Sequence, residues 1–221
     1  MTVPLAAFAA PPLGAQGATD DPADTAKRRQ ILEGAKRVFL EHGFDGASMN
    51  DITKAAGVSK GTIYAYFSGK DTLFEELIRL EKQEQAESLC LISPDDHATA
   101  DVLYDFGLKI LTKLLHPESI ARVRLVMGIT PRFPNIGRTF FETGYARGIA
   151  RLTDYLATQI TQGKLDAADP AKAAQHFFDI CFSRPLRAAM LAVIDDMSPE
   201  EKHAHVTESV AAFFKLYPLK G

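Results

Sequence analysis

The sequence predicts an all-α protein, with a small three-helix head followed by a larger C-terminal helical bundle. Three observations carry that prediction. From Thr25 onward apolar residues recur at helical spacing, and no stretch of strict period-two alternation stands out. Three helix starts of the same form, each opened by a serine, fall within about twenty-five residues, so short helices must turn sharply on one another there. The breaks further along are marked by proline, glycine and capping acids, and they leave segments long enough for bundle helices.

Composition sets the outer bounds. The chain has 221 residues, 46% hydrophobic and 24% charged, with a formal net charge of -3. A chain of this length buries roughly 70% of its unfolded surface, enough for a full core. The net charge excludes a polycation, so any attraction to nucleic acid must come from local placement of lysine and arginine. The two cysteines, Cys90 and Cys181, are too few for a disulfide framework and too far apart for a zinc site, and are read as buried free thiols. No apolar run reaches the roughly eighteen residues needed to span a bilayer. Residues 1–24 are rich in Ala and Pro. The apolar stretch Leu5–Ala10 is short and no Lys or Arg precedes it, so this region is read as a disordered tail rather than a cleaved signal. The domain reading is a tail over 1–24, a head over 25–84 and a C-terminal regulatory and dimerisation domain over 85–221.

The first helix is expected from about Thr25 to His42, with Ile31, Leu32, Ala35, Val38 and Phe39 on one face and Gly43 as a left-handed stop. Ser48-Met-Asn-Asp51, Ser59-Lys-Gly-Thr62 and Ser68-Gly-Lys-Asp71 then open three helices, because a serine hydroxyl accepts from the free N–H groups of a first turn. Between the first two, Ile52, Ala55, Ala56 and Val58 face a core and Gly57 supplies the positive φ of a tight turn. Helix, glycine turn, helix is a helix-turn-helix. Further helices are expected over 71–91, 98–115, 117–129, 135–162 as one long helix, 170–194 and 199–216. Ser198-Pro199-Glu200-Glu201 is a complete start signal of cap, first-turn proline and capping-box glutamate.

The second helix of the pair carries the functional signal. In Lys60–Phe67, Ile63 and Phe67 are spaced to face the core. The remainder, Lys60, Gly61, Thr62, Tyr64, Ala65 and Tyr66, offers donors and small side chains. From Ile52 to Lys70 there is no Asp or Glu, while Lys54, Lys60 and Lys70 supply positive charge. Hydroxyls and lysines suit phosphate oxygens, and small residues let a helix approach a groove floor. A solvated helix face explains any one of these residues. It does not explain turn, caps and an acid-free surface together.

Other motifs are set aside. Asp20-Asp-Pro-Ala-Asp24 spells a paired-aspartate motif but lies in the proline-rich tail. His203 and His205, two apart on a helix, point their rings away from each other, so no metal site is expected. There is no glycine-rich phosphate loop or nucleophile elbow, so neither an enzyme nor a cofactor is expected.

The stretch Ser48–Phe67, followed by Ser68–Phe74 and preceded by Ala35, Phe39 and Gly43, resembles the N-terminal head of the TetR/AcrR family of bacterial repressors. Thr53 departs from the alanine usual there. The C-terminal part is similar to the AefR-like type in length and helical character. The resemblance implies a cytoplasmic, ligand-released homodimeric repressor on double-stranded DNA with a palindromic operator. It implies base or adjacent phosphate contacts at Lys60, Gly61, Thr62 and Tyr66, and phosphate contacts at Ser48, Tyr64 and Lys70. It also implies a small-molecule effector in the bundle and a dimer through the last two helices, which the large apolar residues of those helices favour independently. Candidate pocket residues are Phe106, Met127, Phe140, Phe141, Tyr145, Phe177 and Cys181, chosen where aromatic and Met residues concentrate. His176, Arg184 and Arg187 are read as buried polar candidates. An arginine there pairs either with an acidic ligand or with Asp179 or Asp195.

Overall fold

The structure is a computed structural model that describes residues 22–88 and 98–220. The expected tail over residues 1–21 and the thiol of Cys90 lie outside the described residues. Among the described residues the chain is helical, with α1 (Pro22–Gly46), α2 (Met49–Ala56), α3 (Lys60–Tyr66), α4 (Lys70–Ser88), α5 (Thr99–Leu115), α6 (Pro117–Ile129), α7 (Pro134–Phe141), α8 (Arg147–Thr161), α9 (Pro170–Met190) and α10 (Pro199–Leu216). A π-helical turn, Glu142–Ala146, lies between α7 and α8. No helix among the described residues is long and apolar enough to cross a membrane.

Several boundaries differ from the sequence expectation. Pro22–Asp24 belong to α1 rather than to a tail, as suits a proline in a first turn. The regular run of α1 breaks at Gly43, whose φ of 69° and ψ of 177° lie outside the left-handed helical region expected of a stop. The single helix expected over 135–162 is interrupted by the π turn. α9 ends at Met190, four residues early, because Ala192 takes a left-handed φ of 56°. Gly69, not Ser68, precedes the first residue of α4.

The chain divides into two compact units. The first joins residues up to Gln85 to a second segment, Arg124–Gly144, and the second holds Ala86–Val123 and Tyr145–Gly221. The core of the first unit draws Ile31, Leu32, Ala35, Val38 and Phe39 from α1 and Leu73, Phe74, Leu77 and Ile78 from α4. α2 gives Ile52 and α3 gives Ile63. Val126, Ile129 and Ile136 come from the distant segment. Phe44 stacks on Phe39 at 5.8 Å and meets Phe74 and Phe133 edge-on at 5.5 and 5.2 Å. Asn135 and Thr139 both donate to the Glu75 carboxylate, at 2.7 and 3.1 Å, which ties α7 to α4.

In the second unit, α5, α8, α9 and α10 pack around Phe177, which is fully buried and meets Phe213 edge-on at 5.5 Å. Both sequence-read caps on these helices are present. Asp169 accepts from the first-turn amides of α9, and Ser198 and Glu201 form a reciprocal capping box on α10. Pro185 lies inside α9 and is buried. Having no N–H, it leaves the carbonyl four residues back, that of Cys181, without its helical donor. His205 on α10 donates from Nε2 to that oxygen at 2.8 Å. His203 bonds elsewhere, through Nδ1 to the Tyr104 hydroxyl, so the two rings serve separate partners.

Candidate nucleic-acid interface

The helix-turn-helix is built by local chemistry. Ser48 accepts from the Asp51 amide at 3.2 Å and Ser59 from the Thr62 amide at 3.0 Å, which caps α2 and α3. Gly57 takes φ 63° and ψ 38° at the end of α2. The last four carbonyls of a helix have no partner within it, and in α2 all four are accounted for. Gly57 and Val58 amides take those of Lys54 and Thr53, Arg37 takes that of Ala55 at 2.5 Å, and Gln30 takes that of Ala56 at 2.7 Å. Arg37 and Gln30 come from α1, so α1 fixes where α2 ends and α3 begins. α1 approaches closely because of Gly34: a Cβ there would stand 2.6 Å from both Cα and N of Ala56.

On α3, Ile63 and Phe67 are buried, while Lys60, Gly61, Tyr64 and Ala65 are exposed. Tyr64 is a large apolar ring left 46% in solvent. Gly61 is informative by contrast with Gly34. A Cβ there would meet nothing nearer than the Ser59 hydroxyl at 3.8 Å, and its φ needs no glycine. A helical glycine costs about 1 kcal/mol relative to alanine, and no packing within the head explains it. Lys54 is exposed at the end of α2. Thr62 is half-buried, with its hydroxyl 2.7 Å from that of Ser59.

Three more of the sequence-read residues have partners inside the head. The Ser48 hydroxyl donates to Asp51 at 2.5 Å, and that bond is the main reason the Asp51 carboxyl is held below its ordinary range. Lys70 donates to the carbonyls of Phe44, Asp45 and Ala47 at 2.8, 3.4 and 3.2 Å and sits 4.7 Å from the Phe44 ring centroid. Its three N–H bonds are thereby matched by three oxygens of the α1–α2 turn. Tyr66 is half-buried and donates to Asp24 at 2.5 Å. Sequence reasoning missed Gln30, Gly34, Arg37 and Asp24, all on α1. Only the Gly34 position, a glycine on the apolar face of a helix, carried a readable signal.

The candidate pocket residues are divided between the two units. Phe106, Phe177 and Cys181 are buried in the second, where Tyr145 meets Phe178 edge-on at 5.6 Å. Met127, Phe140 and Phe141 belong to the first; Met127 is 58% exposed and Phe140 packs against that unit's core. His176, Arg184 and Arg187, expected to be buried, lie exposed on α9. Burial pushes the Cys181 thiol up to about 12, against a weaker lowering by the Ser209 hydroxyl.

A short helix with an outward face of lysine, tyrosine and small residues, held by a capped glycine turn in an all-helical chain, defines the class of helix-turn-helix regulators. Comparison with known proteins agrees. The family described as bacterial regulatory proteins, tetR family, matches residues 31–77, and the AefR-like transcriptional repressor C-terminal domain matches residues 101–218. The chain belongs to the tetR family of bacterial regulatory proteins, with an AefR-like C-terminal domain, and that family consists of regulators rather than enzymes. Among curated relatives, the HTH-type transcriptional repressor AcnR of Corynebacterium diphtheriae is 35% identical over 92 residues, 42% of each chain. The chain thus spans less than half the length of that relative. Among solved structures, a TetR-family regulator from Mesorhizobium loti superposes with a TM-score of 0.83 at 28% identity, covering 90% of this chain and 99% of that one. The flavonoid-responsive regulator FrrA gives 0.72 at 32% identity, covering 87% and 97%.

Proposed function

We propose that the protein is a sequence-specific DNA-binding repressor that acts as a homodimer on a palindromic operator and is released by a small molecule. The observation that carries the DNA reading is the outward face of α3. Lys60, Gly61, Tyr64 and Ala65 are exposed there, and no packing inside the head requires Gly61. Lys60 and Lys54 meet phosphate or base acceptors, Tyr64 and Thr62 flank the backbone, and Gly61 and Ala65 admit the helix to the major groove. Ser48 and Lys70 act at one remove, by fixing the start of α2 and the turn before it. The AcnR relatives, described as repressors, support the sign of regulation. We assign it to the cytoplasm of a bacterial cell, where an operator lies.

The dimer is assigned to α9 and α10. The outer face of α10 carries exposed Ala204, Thr207 and Ala211, small residues over which a second copy can pack closely in a two-fold four-helix arrangement. The effector is assigned to the second unit, around Phe106, Tyr145, Phe177 and Cys181. The likeness to FrrA makes planar aromatic compounds the first class to screen. A ligand at a hundred times its Kd raises stability by about 2.7 kcal/mol, readable as a thermal shift.

The deciding experiment is an anisotropy titration of a duplex from upstream of the protein's own gene. Lys60→Ala and Tyr64→Ala should each weaken binding at least about tenfold, in the lower part of what a direct contact contributes. Sedimentation should show both variants still dimeric. Unchanged affinity in both variants would remove α3 as the reading surface.

A further inference from the structure

We propose that Asp24 is an affinity-setting residue, a carboxylate that occupies the donor of Tyr66 and must give it up to a DNA phosphate. The inference rests on the DNA-binding reading and concerns the same surface.

From Ile52 to Lys70 the helix-turn-helix contains no acid. The fold nevertheless brings one onto it. Asp24, exposed in the first turn of α1, lies 42 positions from Tyr66 in sequence, and its Oδ1 accepts the tyrosine hydroxyl at 2.5 Å. Tyr66 is the last residue of α3, on the same short helix as Lys60 and Tyr64.

A phenol hydroxyl carries one proton. While Asp24 accepts that proton in a hydrogen bond, Tyr66 has none for a phosphate oxygen, an acceptor that resembles a carboxylate in charge. Asp24 therefore stands where a phosphate would, and binding exchanges one anionic acceptor for another. It also adds negative charge at the edge of a surface that must receive a polyanion. Support of the helix-turn-helix gives the opposite sign. A residue that only braced Tyr66 would lower DNA affinity on removal, whereas a competitor raises it.

The test compares wild type, Asp24→Ala, Asp24→Asn, Tyr66→Phe and Asp24→Ala/Tyr66→Phe. Each is titrated at one fixed salt concentration on a duplex that the full-length wild-type chain selects from a randomised pool. Lys60→Ala reports on the surface itself. Asp24→Ala should bind about threefold to tenfold more tightly, the net scale of one hydrogen bond, because one anionic acceptor is exchanged for another. Asp24→Asn, which keeps a neutral acceptor, should fall between it and wild type. In the Tyr66→Phe background Asp24→Ala should change affinity less than twofold. Weaker binding of both Asp24 variants overturns the inference in favour of a bracing role. An equal gain with and without the Tyr66 hydroxyl overturns it in favour of simple charge repulsion. Failure of the wild type to select any duplex overturns the DNA reading itself. Selection that Lys60→Ala weakens, with no gain from Asp24→Ala, overturns this inference and leaves that reading standing.

Discussion

Gly34 and Gly61 are both helical glycines in the head, and their surroundings give them opposite meanings. At Gly34 the backbone of α2 occupies the space a side chain would fill. Gly34→Ala must therefore push α2 away from α1 and pull the Ala55 and Ala56 carbonyls off Arg37 and Gln30. We expect a loss of about 1–3 kcal/mol, the scale of overpacking, measured by urea unfolding, together with weaker DNA binding because α3 follows α2. At Gly61 the same substitution should leave stability unchanged or slightly raised and act on DNA affinity alone. The contrast was not legible in sequence. Ser48, Ser59 and Ser198 could be read as caps because a cap bonds within three residues of itself. The neighbour of Gly34, the acceptor set of Lys70 and the partner of Tyr66 lie 22 or more positions away and depend on how the helices cross.

At the level of the helices, existence was legible and continuity was not. Proline, glycine and capping acids marked nearly every start. The π turn at Glu142–Ala146 holds Gly144 but no proline, and its backbone stays helical rather than stopping there; the left-handed Ala192 has no glycine to announce it. Pro185 lies inside the helix expected over 170–194, and it does not break it. α9 continues through it because His205 on α10 supplies the donor the proline lacks. His205→Ala should cost about 1–3 kcal/mol by leaving the Cys181 carbonyl buried without a donor. In a Pro185→Ala background, where residue 185 regains its N–H, the same change should cost clearly less; a double-mutant cycle by thermal or urea unfolding measures the difference.

Glu76 joins α1 to α4 in a similar way. Burial works to raise the pKa of its carboxyl, but hydrogen bonds and charge from Arg79 at 2.6 Å and Arg28 at 3.0 Å outweigh it and hold the pKa below the ordinary range. A carboxyl with a lowered folded pKa contributes its full stability above its unfolded value of about 4.3 and loses it as pH falls through the folded pKa. Glu76→Gln should therefore be less stable than wild type at pH 7, by about 1 kcal/mol because both arginines are well exposed. The two proteins should converge as pH falls from the ordinary carboxylate range through the lowered folded pKa, as followed by urea unfolding across pH.

Across the whole molecule, a chain of net charge -3 must bind a polyanion through one local surface. Log affinity should fall linearly with log salt, and Lys60→Ala should reduce that slope by about one phosphate's worth, as fluorescence anisotropy at four salt concentrations would show. The fold class and the head were readable from sequence because helical periodicity and caps are local. The division into units was not, since the first unit is completed by Val126, Ile129 and Ile136 from a segment some forty residues past its own last helix. A fragment ending at residue 85 lacks those side chains and the Phe133 ring that meets Phe44. It should unfold at lower urea than the same residues within the full chain, by circular dichroism.

That discontinuity bears on how such a protein can be re-engineered or inherited in pieces. The family match to the head covers residues 31–77, which invites treating it as a cassette to be joined to another bundle. Cut there, the cassette arrives without part of its interior. A chimera that carries Arg124–Gly144 along with the first 85 residues keeps its hydrophobic filling, and one that does not must find substitutes in the recipient. Recombination between relatives of this chain is thus expected to succeed with three linked crossovers more often than with one.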